Sequence, residues 1–139
     1  MADLDNLSAI ARTAGSALKA QGERLRVISE NIANADTIGT PGDNTYRRKV
    51  VTFGEIVDRE TGANMVAITS VSKDPAPLRL QYEPSHPLSN EEGYIERPNI
   101  EPLVEMANMR EAARSYEANL NMIATGREMR RLTLDMLDK

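Results

Sequence analysis

Few side chains of this 139-residue sequence have the types and spacing that chemistry requires. Cysteine is absent, which excludes disulfides, thiolate metal sites and cysteine nucleophiles. The one histidine, His86, lies between Pro84 and Pro87 in a segment typical of a turn, so we predict a surface residue. A metal site built from several histidines is excluded as well.

Three short segments resemble chemical motifs only in part. Gly39–Gly42 has two glycines but lacks the Lys-Ser/Thr pair of a phosphate-binding loop. Glu91 and Glu92 would be suited to acid–base chemistry if buried, but before Gly93 they are typical of a solvated turn. The basic cluster Tyr46–Lys49 is able to contact phosphates, acidic groups on a partner, or solvent, and the net charge of −4 favours the last two. We therefore predict neither an enzyme nor a cofactor or metal site.

The distribution of proline indicates which elements hold these segments. All seven prolines lie between Pro41 and Pro102, so both ends of the chain are free of helix-breaking residues. We predict a helix over 1–36, a strand- and turn-rich middle lobe over 37–102, and a helix over 103–139. The resulting fold class is α+β, with long N- and C-terminal helices paired in a coiled-coil-like layer.

The first predicted helix has an apolar stripe with steps of three and four residues. A period of 3.5 is typical of a helix that winds around a partner helix, and ordering so long a helix costs more than one apolar stripe returns. We therefore expect the termini to become ordered on assembly. Asp3 and Asp5 suit a helix start, and Arg12 and Arg24 lie on the face that we expect to be solvated. The stripe consists of Leu4, Leu7, Ala11, Ala14, Leu18, Gln21, Leu25, Ile28, Ile32 and Ala35.

The last predicted helix is apolar on two faces, which indicates more than one neighbour. Five of the seven methionines lie here, and methionine suits contacts that must adapt. Gly126 interrupts the helix and predicts a close helix approach at that point. The first stripe is Met106, Met109, Ala113, Tyr116, Leu120 and Ile123, and the second is Met122, Met129, Leu132 and Met136.

The middle of the chain alternates short strands with turns. Strands are predicted over 48–53, 65–71 and 78–82, the last with the period-two alternation of a half-buried strand. We expect one small sheet between Tyr46 and Tyr82, with turns at 39–42, 75–77 and 84–87.

Several of these segments resemble the bacterial flagellar rod and hook family. Its signature is an Asn-Ile-Ala-Asn helix end followed by a Thr-Pro-Gly-Tyr-type turn, here carried by Asn31, Ile32, Ala33, Asn34, Pro41, Gly42, Tyr46 and Arg47. Segments 74–79, 82–87, 92–94, 98–100, 103–109, 111–112 and 115–119 further resemble the proximal rod proteins of that family. The sequence departs from the pattern in the insertion at 42–45, in Arg110, and in the basic tail 125–131.

The resemblance implies a structural subunit of the proximal rod of the flagellar basal body, part of a torque-transmitting drive shaft that crosses the periplasm. It implies export by the flagellar type III apparatus without a cleaved signal peptide, and assembly with other rod subunits and further copies of the chain. Neither nucleic-acid binding nor membrane insertion is expected. We predict that Asn31 and Asn34 cap the helix end, and that replacing Leu25 and Ile28 with Asp abolishes rod assembly. The predicted assembly interface consists of Leu18, Leu25, Ile28, Ile32, Met109, Tyr116, Leu120 and Ile123.

Two other functions remain open from the residues alone. A soluble coiled-coil adaptor or export chaperone would form a discrete oligomer with stable helices. A nucleic-acid module that used residues 46–49 would show affinity that falls steeply with salt.

Overall fold

The computed structural model describes residues 2–137, with the side chains of residues 7–136. Met1, Asp138 and Lys139 lie outside the described residues. The side chains of Asp3 and Asp5, predicted at the helix start, and of Leu4, predicted in the apolar stripe, also lie outside them. Two long helices enclose four strands in the order of the sequence. The elements are α1 (Ala2–Ala33), β1 (Lys49–Val57), β2 (Asn64–Lys73), β3 (Arg79–Tyr82), β4 (Tyr94–Arg97) and α2 (Pro102–Leu137). The predicted α+β fold with long terminal helices is confirmed.

The end of α1 and the start of α2 fall at residues that suit those positions. Helix α1 ends at Ala33, and the Nδ2 of Asn34 donates a hydrogen bond of 2.8 Å to the carbonyl of Glu30, which also accepts the backbone N–H of Asn34 at 3.1 Å. Helix α2 begins at Pro102. Proline lacks a backbone N–H, but at the first position of a helix that N–H would have no intrahelical acceptor. Among the described residues, neither helix is both long and apolar enough to cross a membrane.

The strands form two separate two-stranded sheets, β1–β2 and β3–β4, so the prediction of one sheet between Tyr46 and Tyr82 is wrong. Strand β4 was not predicted, because its four residues are too few to show a period. Strand β3 is exposed at every position rather than half-buried, since a short ribbon of two strands buries little surface. It pairs antiparallel with β4, with Tyr82 opposite Tyr94.

The described residues divide into two compact units, and the division runs through both helices. In the first unit, which contains α1 up to Leu25, residues 52–70 and α2 from Glu111, the two helices are antiparallel. Arg24 pairs with Glu111 at 3.2 Å, and Gly22 faces the ring of Tyr116. Space around Gly126 is open, so the close helix approach predicted there is wrong.

Polar side chains of α1 hold the β1–β2 hairpin in this first unit. The Thr13 hydroxyl donates to the carbonyl of Asn64 at 3.0 Å, and the Ser16 hydroxyl accepts the N–H of Val66 at 3.0 Å. Arg12 pairs with Asp58 at 2.7 Å and with Glu60 at 2.8 Å. Arg12 and Arg24 therefore bind acids of their own chain rather than only solvent.

The second unit, residues 26–51 and 71–110, has a small apolar core around the end of α1 and the start of α2. Its fully or nearly fully buried apolar residues are Val27, Ile28, Ile95, Pro98 and Ile100. Two polar residues, Asn31 and Glu105, are buried beside them, each with 1% of its surface exposed. Buried polar groups are stable only when they are hydrogen-bonded, so this pair requires a network of partners.

Candidate assembly interface

The eight predicted interface residues differ in exposure. Ile28 is buried within its own unit, so it is a core residue of the subunit, and Ile28→Asp would unfold the chain rather than test assembly. Leu120 is about half exposed and therefore free to contact another subunit. The remaining six are half-buried: Leu18, Leu25, Ile32, Met109, Tyr116 and Ile123.

A larger apolar surface lies on the second predicted stripe of α2, which has no cover among the described residues. Its four members, Met122, Met129, Leu132 and Met136, each expose about half of their surface or more. Met122 also lines an apolar groove of about 500 Å³ in the first unit, together with Ile10 and Ala14. Apolar surface at this helical spacing is typical of a contact with a further helix. We call these four residues the outer stripe.

The side chain of Asn31 connects α1 to the segment before β1 within the second unit. Its Oδ1 accepts the backbone N–H of Lys49 at 2.9 Å, and its Nδ2 donates to the Lys49 carbonyl at 2.9 Å. The amide therefore pairs with Lys49 as a neighbouring strand would. The same Oδ1 accepts the hydroxyl of Tyr46 at 3.1 Å, and Nδ2 also donates to Glu105 Oε2 at 3.1 Å. Asn31 does not cap the helix, contrary to the prediction, because all of its hydrogen-bonding capacity is used elsewhere.

Glu105, in the first turn of α2, forms the other half of this junction. Its Oε1 lies 2.7 Å from Arg48 Nε and 2.7 Å from Arg48 Nη2. Arg48 also lies 3.5 Å from Asp74, and its backbone N–H donates to Asn99 Oδ1 at 2.9 Å. We call Asn31, Arg48, Lys49 and Glu105 the polar junction. Sequence analysis missed Glu105, because an acid in a first helical turn is common for reasons of the helix dipole alone, and it named Arg48 only as a member of the basic cluster.

The basic cluster Tyr46–Lys49 binds its own chain, so the prediction that it faces a partner or solvent is wrong. Arg47 donates to the carbonyl of Ala76 at 3.0 Å, and Lys49 Nζ lies 2.7 Å from Glu30 Oε2. The hydrogen bond that Lys49 donates to the Glu30 carboxylate raises the pKa of Lys49. Burial raises the pKa of Tyr46, which keeps its hydroxyl protonated as a donor to Asn31. Phosphate binding by this cluster is disfavoured as well, because its cations already bind groups of their own chain.

The turn that follows α1 has a defined geometry. The N–H of Asp43 donates to the carbonyl of Thr40 at 2.9 Å, with Pro41 and Gly42 between them. Gly42 has a φ of +87°, which a Pro-Gly type II turn requires. Further along, the Thr45 hydroxyl donates to Glu96 at 2.8 Å, and a Cβ on Gly39 would lie 2.1 Å from that hydroxyl. Residues on both sides of Pro41 and Gly42 therefore hold this turn against β4.

The chemical candidates from the sequence have local roles. His86 Nδ1 accepts the N–H of Leu88 at 3.1 Å within its turn. Glu91 and Glu92 are exposed. Across the described part of the chain, no three His, Asp or Glu side chains are grouped as metal ligands would be.

Comparisons with known proteins agree with this arrangement. The family described as "Flagella basal body rod protein" matches residues 12–39, and "Flagellar basal body rod FlgEFG protein C-terminal" matches residues 91–136. The flagellar basal-body rod protein FlgC of Agrobacterium fabrum is 44% identical over 135 residues, covering 96% of this chain and 97% of the relative. FlgC of Salmonella typhimurium is 40% identical (88% of this chain, 92% of the relative), and FlgC of Borreliella burgdorferi is 37% identical (89% and 93%). The chain therefore belongs to the FlgC family of flagellar basal-body rod proteins, which are structural proteins and not enzymes.

Proposed function

We propose that the chain is a subunit of the proximal part of the rod, and that it assembles through its terminal helices with other rod subunits and with copies of itself. Residues 1–36 and 103–139 would form the helical core of the assembly, and residues 37–102 the lobe beside it. The rod would cross the periplasm and transmit torque. The subunit would reach it through the flagellar type III export apparatus without a cleaved signal peptide.

The outer stripe is the observation that carries this proposal. Four apolar side chains each have about half of their surface still to bury. At about 1.5–3 kcal/mol for a fully buried side chain, covering them supplies roughly 3–6 kcal/mol per subunit. A shaft made of many such contacts is rigid because every subunit contributes the same apolar seam, and no single strong bond is needed.

The test is a deletion of the gene, complemented with variants and scored by electron microscopy of hook–basal bodies. Leu132→Asp places a charge on the outer stripe, and we expect loss of rods and swimming. Ala124→Asp places the same charge at an exposed position off the stripe and serves as the matched control. Both substitutions place Asp at exposed helical positions and carry a similar helix-propensity cost of up to about 0.7 kcal/mol, so the two purified variants should unfold within about 1 kcal/mol of each other.

Normal rods with Leu132→Asp would contradict the role of the outer stripe. Normal flagella after the deletion itself would contradict the rod function as a whole. A discrete soluble oligomer of the purified chain, with rods unaffected, would favour the adaptor instead.

A further inference from the structure

One face of the β3–β4 ribbon presents aromatic surface to solvent. Tyr82 and Tyr94 lie opposite each other in the register, with ring centroids 5.3 Å apart in an edge-to-face arrangement. Leu80 lies on the same face, two residues from Tyr82. Leu80 and Tyr82 are each 63% exposed and Tyr94 is 38% exposed. We call these three residues the tyrosine face. It holds two of the chain's five aromatic side chains.

The backbone around the tyrosine face fixes the position of the rings. Gly93 has a φ of +84°, and a Cβ there would lie 2.8 Å from Tyr82 Cε2, so only glycine lets the ring lie against the turn. The Asn90 side chain accepts the N–H of Tyr94 at 2.8 Å and that of Glu92 at 3.1 Å. Because the rings are held before any contact forms, a partner would lose little conformational entropy on binding.

Charge around the tyrosine face is negative. Glu96 shares the face by strand alternation, and the turn that lies against Tyr82 carries Glu91 and Glu92. Neither of those two glutamates forms an ion pair with any described residue. The cations of the ribbon, Arg79 and Arg97, lie on its opposite face, where Arg79 pairs with Glu101 at 2.8 Å.

We propose that the tyrosine face binds an arginine-bearing apolar segment of a different protein of the basal body. A guanidinium stacks on tyrosine rings and pairs with carboxylates beside them, while Leu80 supplies apolar contact. Two copies of this face would bring like charges together, which disfavours self-association through it. This inference rests on the proposed rod function, because it concerns what the assembled subunit contacts.

Site-specific photo-cross-linking in the complemented deletion strain tests the proposal. A photoreactive amino acid replaces Leu80, hook–basal bodies are purified and irradiated, and the cross-linked peptide is identified by mass spectrometry. A second strain carries the photoreactive residue at Leu132 and reports contacts of the outer stripe. We expect Leu80 to cross-link a peptide of another protein with arginine close to the attachment point.

Charge reversal supplies the matched comparison. Glu91→Lys with Glu92→Lys should lower the Leu80 adduct yield by about tenfold or more, because like charges then face each other. Glu55→Lys with Glu60→Lys makes the same change in net charge at exposed positions outside α1 and α2 and should leave the yield unchanged.

The outcomes separate this inference from the proposed function. Adducts at Leu132 but not at Leu80 would overturn the tyrosine face alone, as would a Leu80 adduct with a peptide that lacks arginine or with another copy of this chain. Equal yields from the two double variants would also overturn it. Basal bodies that lack the chain would overturn both proposals.

Discussion

Replacing Asn31 with aspartate should destabilise the subunit strongly although the two side chains have the same shape. The change keeps the oxygen that accepts from Lys49 but replaces the Nδ2 donor with a second oxygen. The Lys49 carbonyl at 2.9 Å and Glu105 Oε2 at 3.1 Å then lose their donor. Each buried acceptor left unpaired costs about 1–3 kcal/mol, which gives about 2–6 kcal/mol before the repulsion between two buried carboxylates is added.

Urea and thermal unfolding of the purified chain measure this loss. For a chain of this size, 1 kcal/mol corresponds to about 3–5 °C in Tm, so Asn31→Asp should lower Tm by at least about 6 °C. Asn34→Asp is the matched control, since it lies one turn away, is half-buried, and gives up one hydrogen bond to the Glu30 carbonyl. We expect the control to lose about 1–2 kcal/mol. An equal loss in both variants would refute the argument that the polar junction depends on the Asn31 donor.

Three further predictions use the same unfolding assays. Glu105→Gln should cost about 3–5 kcal/mol because it leaves Arg48 without its buried partner, whereas Glu111→Gln, on an exposed pair, should cost less than about 1 kcal/mol. Asp58→Asn should make the free energy of unfolding depend less on pH in the acid range. The N–H of Glu60 and then Arg12 lower the pKa of Asp58, so its contribution is present above the ordinary value of 3.8 and is lost as pH falls through the lowered value. Gly126→Ala should raise the free energy of unfolding by about 1 kcal/mol, since alanine favours the helix and the space around Gly126 is open. A lower free energy of unfolding would contradict the open space at this position.

The long elements were predictable because their signals repeat over many residues. The stripe from Leu7 to Ala35 is buried or half-buried at every described position, as a period of 3.5 residues predicts. Helix α1 ends at Ala33, three residues before the predicted end, where Asn34 donates to the Glu30 carbonyl through both its backbone N–H and its side chain. Strand β4 has four residues, pairs with β3 and forms a bridge to Gly39 through Glu96, so its existence depends on partners that no local pattern reveals.

The polar junction could not be predicted in the same way. Asn31 was identified as a motif residue, but its partners Lys49 and Glu105 lie 18 and 74 residues further along the chain. The sequence contains acidic and basic residues, but it does not indicate which of them form buried ion pairs. The basic cluster illustrates this point, because Arg48 satisfies the buried Glu105 and is not available to a partner molecule.

The distance along the chain between Asn31 and Glu105 has a consequence in time. Synthesis proceeds from the N-terminus at about 5–20 residues per second, so the Asn31 donor precedes its buried acceptor by roughly 4–15 s. During that interval α1 has no Glu105 to pair with, and the second unit cannot close. The second unit of a nascent chain therefore remains open until the first turn of α2 has been synthesised. Folding of the subunit can be completed only after that point.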